Sequence, residues 1–80
     1  MKLSNDTLPV LISGDYNYSV ITNGGTATLK YKTKEMSNYL SVEPTASEDT
    51  ASVLSLPVCQ VKATLTGSAE AYLLRMTHKY

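Results

Sequence analysis

The 80 residues contain one cysteine, Cys59, and one histidine, His78, so thiol chemistry would have to run through that single pair. An imidazole beside a thiol lowers its pKa and makes it a nucleophile. The local pattern argues against this pairing. Cys59 falls on the apolar side of the alternating run Val58 to Thr66, where a thiol is an inert core group, and His78 stands close to the chain end. The acids are Asp6, Asp15, Glu35, Glu43, Glu48, Asp49 and Glu70, most of them in predicted turns. General acid–base work needs carboxylates perturbed inside a cleft, which exposed turns do not supply. Glu48-Asp49 lacks the alternate-acid spacing of a calcium loop. Asn23-Gly24-Gly25 lacks the lysine and following helix of a phosphate loop and reads as a turn. One thiol cannot build a zinc site unaided. The expectation is a protein that is not an enzyme and has no metal site and no cofactor.

Residues suited to contact are easier to find. Lys30, Lys32 and Lys34 recur at every second position. On a strand such residues lie about 6.6 Å apart, which makes a linear cationic stripe. The stripe can dock on an acidic surface. It can equally keep a strand's wet face soluble and discourage edge pairing, and this plainer reading is preferred. Six tyrosines, Tyr16, Tyr18, Tyr31, Tyr39, Tyr72 and Tyr80, are too many for so small a core. Tyr31 and Tyr72 read as core. Tyr39 and Tyr80 are the contact candidates, because Tyr brings area at low entropy cost. Residues 1–7 read as a polar arm able to order on a neighbour, with Leu3 as its apolar contact residue.

The elements that would carry these residues are strands. Thr, Ser, Val, Leu and Tyr suit a pleated, half-buried surface. Leu8 to Ile12, with Pro9, reads as an edge strand. Ser13-Gly14-Asp15 reads as a turn. Tyr16 to Thr22 alternates, with Tyr16, Tyr18 and Val20 sharing a face, and Asn23-Gly24-Gly25 is a hairpin signal. Thr26 to Lys34 places Ala27, Leu29 and Tyr31 opposite the lysines. Tyr39, Leu40 and Val42 suggest a short strand before the polar loop 43–50. Ala51 to Leu56 is another strand, interrupted or ended by Pro57. Val58 to Thr66 turns Cys59, Val61, Ala63 and Leu65 to one side. Gly67-Ser68 fits a tight hairpin. Residues 69–77 hold good helix formers, yet the nearby turn favours a strand with Tyr72, Leu74 and Met76 inward. Six or seven short strands result, with turns every eight to twelve residues. That spacing predicts an all-β fold, a small antiparallel β-sandwich or barrel, with residues 8–80 as a single domain.

The bulk properties narrow the function classes. Lys+Arg and Asp+Glu balance, seven against seven, for a formal net charge of zero. Nucleic-acid binding calls for a basic surplus, so none is expected. A lone cysteine predicts folding in a reducing compartment. No apolar run follows Lys2, so no signal peptide is expected, and no stretch approaches the roughly 18 apolar residues of a membrane span. A chain of this length buries only about 60% of its unfolded surface, so its core is thin, and association supplies stability to many such domains.

The run Gly25-Thr26-Ala27-Thr28-Leu29-Lys30-Tyr31, a polar loop, and then Ser55-Leu56-Pro57-Val58-Cys59-Gln60-Val61-Lys62-Ala63-Thr64-Leu65-Thr66-Gly67 resemble the strands of small virion proteins of tailed phages. A final "LxR" element corresponds to Leu73-Leu74-Arg75. The resemblance spans roughly residues 20 to 76 and is mostly strand patterning. Val58-Cys59 stands where such proteins more often have Ala-Gly, which questions the turn at Pro57. The resemblance implies an all-β protein without an active site. It implies many copies on a capsid or tail, made and folded in the host cytoplasm, located in the virion, and partnered by the major capsid protein or another virion protein. A head-decoration or cement protein that forms a homo-oligomer is the first expectation. A tail or baseplate adsorption module binding a host surface glycan is the alternative.

Overall fold

The structure, a computed structural model, describes residues 1–5 and 10–76. Among the described residues every regular element is a strand: β1 Lys2–Leu3, β2 Val10–Ile21, β3 Thr26–Lys32, β4 Leu40–Ser41, β5 Thr50–Thr66 and β6 Glu70–Arg75. They form one antiparallel sheet in the order β1-β6-β2-β5-β3-β4. The all-β class is as expected from the alternating residues.

Two expected breaks are absent. Ser13-Gly14-Asp15 does not turn the chain, and Pro57 does not end a strand. Instead β2 and β5 run long, and both features meet at one irregularity. Ile12 faces Cys59 and Gly14 faces Leu56, so Ser13 opposes both Pro57 and Val58. This two-against-one count is a β-bulge. A bulge leaves a residue outside the ladder, where the missing N–H of proline does no harm. Gly14 supplies the matching backbone, with φ of 109°, a value that L side chains rarely adopt.

The two glycine turns also differ from the hairpin expectation. Residues 22–25 form a tight turn closed by Gly25 N–H donating to the Thr22 carbonyl at 2.7 Å, with positive φ at Asn23 and Gly24. Residues 66–69 form another, closed by Ala69 N–H on the Thr66 carbonyl at 3.3 Å, with positive φ at Gly67. Neither turn joins paired strands. β2 pairs β6 and β5, while β3 pairs β5 and β4. Each turn therefore carries the chain from one limb of the sheet to the other, and β5 belongs to both limbs. Its first part lies against β2 and its last part against β3.

The sheet folds back so that both limbs bury residues in one cluster. Tyr16, Tyr18, Val20, Ala71, Leu73, Leu3 and Leu54 come from the first limb; Ala27, Leu29, Val61, Ala63 and Cys59 come from β3 and the latter part of β5. Full burial of a Leu or Val side chain is worth about 1.5–3 kcal/mol, and this one filling serves every strand except the short β4.

The last strand corrects a face assignment. Residues 70–75 are a strand and not a helix, but Ala71 and Leu73 point inward while Leu74 is exposed and Tyr72 half-buried. The register decides this. Val20 faces Ala71 and Tyr18 faces Leu73, so the inward row of β2 imposes its parity on β6. Tyr72 instead donates its hydroxyl to Glu70 Oε1 at 2.8 Å on the outer side.

The start of the chain is also part of the sheet. Leu3 is 1% exposed, so it holds the start of the chain in the core and offers no surface to a neighbour. Met1 and Leu73 exchange backbone bonds of 2.9 Å, and Lys2 pairs with Glu70 at 3.3 Å. The arm assigned to residues 1–7 is therefore anchored over Met1 to Leu3; Asp6 and Thr7 lie outside the described residues.

Candidate functional site

Two concave regions lie along β2, one toward each end. Near its start, Leu11, Val58 and the floor residue Cys59 combine with Gln60 and with Lys32, Thr33 and Lys34 around a cleft of about 450 Å³. The bulge creates it. An extra residue in β5 re-aims its neighbours, and Val58 is left 65% exposed beside Leu11 at 68%. Both are among the most exposed large apolar side chains of the described residues. Leu11 and Val58 thus form an exposed apolar pair bordered by Lys32 and Lys34.

Two of the three lysines of the row border this cleft. Lys30 and Lys32 are half-buried on β3; Lys34 is exposed beyond its end. Lys30 faces Lys62 across the β3–β5 ladder. The Lys62 ammonium lies 4.1 Å from the ring centroid of Tyr39, a cation–π contact. Tyr39 also donates its hydroxyl to Gln60 Oε1 at 3.4 Å. Tyr39 is therefore tied to its own sheet, with Lys62 over its ring. Of the expected contact residues, the structure brings Lys32 and Lys34 together at the cleft. Tyr39 touches Gln60 on its border, Lys30 lies two pairs further along β3 from Lys32, and Leu3 is in the core. Tyr80 lies outside the described residues.

Cys59 is fully buried, and burial pushes its thiol pKa up, which keeps it protonated and unreactive. His78 lies outside the described residues. Among the described residues no group of three or more His, Cys, Asp or Glu could hold a metal ion.

The second concave region lies between the loop 43–48 and the strands β2 and β5. Tyr18, Glu43, Pro44, Ala46, Ser47, Glu48, Thr50 and Ser52 enclose about 310 Å³. The loop is held along the free edge of β3. Val42 N–H donates to the Leu29 carbonyl at 2.8 Å, and Ala46 exchanges bonds of 2.8 and 3.0 Å with Ala27. Thr28 and Thr45 share a hydroxyl bond of 2.7 Å. Asp49 then accepts from the Thr22 N–H and hydroxyl at 2.8 and 3.1 Å, which pins the loop to the turn. On the cleft wall, Ser52 donates its hydroxyl to Glu43 Oε1 at 2.6 Å.

Tyr18 is the unusual member. It is 3% exposed, and its hydroxyl has no hydrogen-bond partner among the described residues. Buried hydroxyls are nearly always paired, because an unpaired one costs about 1–3 kcal/mol. Burial, with a smaller contribution from the Glu43 charge, pushes the phenol up to about 12. The sequence showed the lysine row and the acids 43, 48 and 49, but not this cleft. Tyr18 read only as one member of the face it shares with Tyr16 and Val20, and no local signal reports an unpartnered atom.

Comparison with known protein families, with curated proteins and with solved structures finds no match. The residues themselves therefore carry the functional reading.

Proposed function

We propose that the chain is a structural protein of a phage particle, a head-decoration or cement protein that docks in many copies on the shell through the cleft near the start of β2. The observation that carries this reading is the exposed apolar pair Leu11 and Val58, bordered by Lys32. Apolar area gives affinity once water is excluded, and flanking cations orient the approach to an acidic partner. Single contacts of this size are weak. They become firm when many copies bind one particle. The resemblance of residues 20 to 76 to tailed-phage virion proteins supports the same reading. The glycan-binding alternative calls for a tyrosine face open to a sugar, and the Tyr39 ring is covered by Lys62.

Particles purified from a lysate containing the chain test this directly. The wild type is expected in the particle fraction by mass spectrometry. The double variant Leu11→Ser, Val58→Ser is expected to fold normally and to leave that fraction. Finding the wild type in the lysate but not on purified particles would reject the proposal.

A further inference from the structure

The cleft under loop 43–48 has the chemistry of a cation site without a cation. Glu43 and Glu48 supply carboxylates, and Ser47 and Thr50 supply hydroxyl oxygens. One Glu43 oxygen holds Ser52, which fixes the carboxylate's direction. The second, independent feature is Tyr18, nine-tenths buried or more, lining the same cleft with a hydroxyl that no group among the described residues satisfies. An ammonium group seated between the carboxylates would give that oxygen a donor and the acids a counter-charge. A carboxylate or phosphate would be repelled there.

The chain itself carries the complementary charge. Its net charge is zero, yet the acids of the loop and the cations of β3 face different ends of β2. Leu11 and Tyr18 are seven residues apart on one strand, roughly 23 Å at strand rise, so a lysine bordering Leu11 cannot fold back into its own cleft. Among the described lysines, Lys2 is paired with Glu70, Lys62 lies over Tyr39, and Lys30 and Lys32 are half-buried on β3. Lys34 is exposed and stands past the end of the strand, where a neighbour can reach it.

We infer that the cleft formed by Tyr18, Glu43 and Glu48 receives the ammonium of Lys34 from a second copy of the chain. Each copy then offers one cleft and one lysine, so the contact either closes as a reciprocal twofold pair or propagates into a ring or a row. This deepens the decoration reading by naming how neighbouring copies clasp one another. It can nevertheless fail or succeed without capsids.

Sedimentation velocity of the purified chain, with no particles present, tests it. The wild type is expected to self-associate at low salt and to dissociate as salt rises, because the contact is between exposed charges. Glu48→Lys and Lys34→Glu are each expected to weaken association at least tenfold. The charge-swapped double variant Lys34→Glu, Glu48→Lys is expected to recover most of it. Tyr18→Phe removes only the hydroxyl, so it is expected to leave folding intact and to weaken association severalfold. A wild type that stays monomeric at low salt overturns the inference, as does association indifferent to Glu48→Lys and Tyr18→Phe, or a double variant that recovers nothing. Particle binding that survives when self-association is absent would overturn this contact and leave the decoration reading standing.

Discussion

At one end of the β2–β5 ladder, where Val20 faces Thr50, the chain is locked by specific backbone contacts; at the other, where Val10 faces Val61, it is left open. The locked end stacks the turn 22–25 on the turn 66–69. Asn23 donates its side-chain amide to the Ser68 carbonyl at 3.1 Å, and Thr26 N–H donates to the Thr66 hydroxyl at 2.9 Å. The open end carries Leu11, Val58 and Lys34 outward. Both ends contain glycine and an interrupted pattern, so local composition does not separate them. What separates them is whether the neighbouring backbone closes over the residue. Closure stabilises the turns, and its absence leaves Leu11 and Val58 exposed.

The strongest way to break this contrast is Gly25→Ala. A Cβ there would lie 2.0 Å from the Thr66 carbonyl oxygen, which is backbone and cannot swing aside. We expect a loss of about 4 kcal/mol or more, measured as a collapse of the urea midpoint. By contrast, Leu11→Ser and Val58→Ser should each change stability by about 0.5 kcal/mol or less, as exposed substitutions do. A tolerant Gly25→Ala would show that the turns are not locked.

The next test compares neighbours on β6. Leu73→Ala empties part of the core and should cost about 3 kcal/mol, whereas Leu74→Ala should cost about 0.5 kcal/mol or less. Equal costs would contradict the observed register of β6 on β2.

The smallest effect concerns alkali. Tyr18 has its folded-state pKa raised from 10.0 to about 12, first by burial and then by Glu43. Below pH 10 both folded and unfolded chains hold the phenolic proton, and this contribution to stability is complete. Between 10 and 12 the unfolded chain loses its proton first, so stability falls as pH rises through that window. Ultraviolet titration should show one late-ionising tyrosine, absent in Tyr18→Phe. In the associated form described above, ionisation of Tyr18 should move lower, because an ammonium favours the phenolate.

The strands were legible in the sequence to different degrees. Residues 26–32 and 58–66 alternate so regularly that their faces could be read directly, and Ala27, Leu29, Cys59, Val61 and Ala63 lie inward as expected. Pro57 and Ser13-Gly14-Asp15 could not be read as partners, because a bulge is a relation between two strands and each half alone looks like a break. Leu73 and Leu74 are identical in hydrophobicity, so only pairing could choose between them. The lysine stripe was visible from spacing, but its usefulness depends on which lysine extends past the strand end.

By itself the residue order determined that this chain would be a pleated, one-sided polymer of strands. Alternation of side chains is local and survives any choice of neighbours. The pairing of β2 with β6 across the chain, the crossing of both glycine turns between limbs, and the stranding of the Tyr18 hydroxyl beside Glu43 were decided only by tertiary structure. Those features depend on which distant strand supplies the missing hydrogen bonds, and no short stretch of sequence contains that choice.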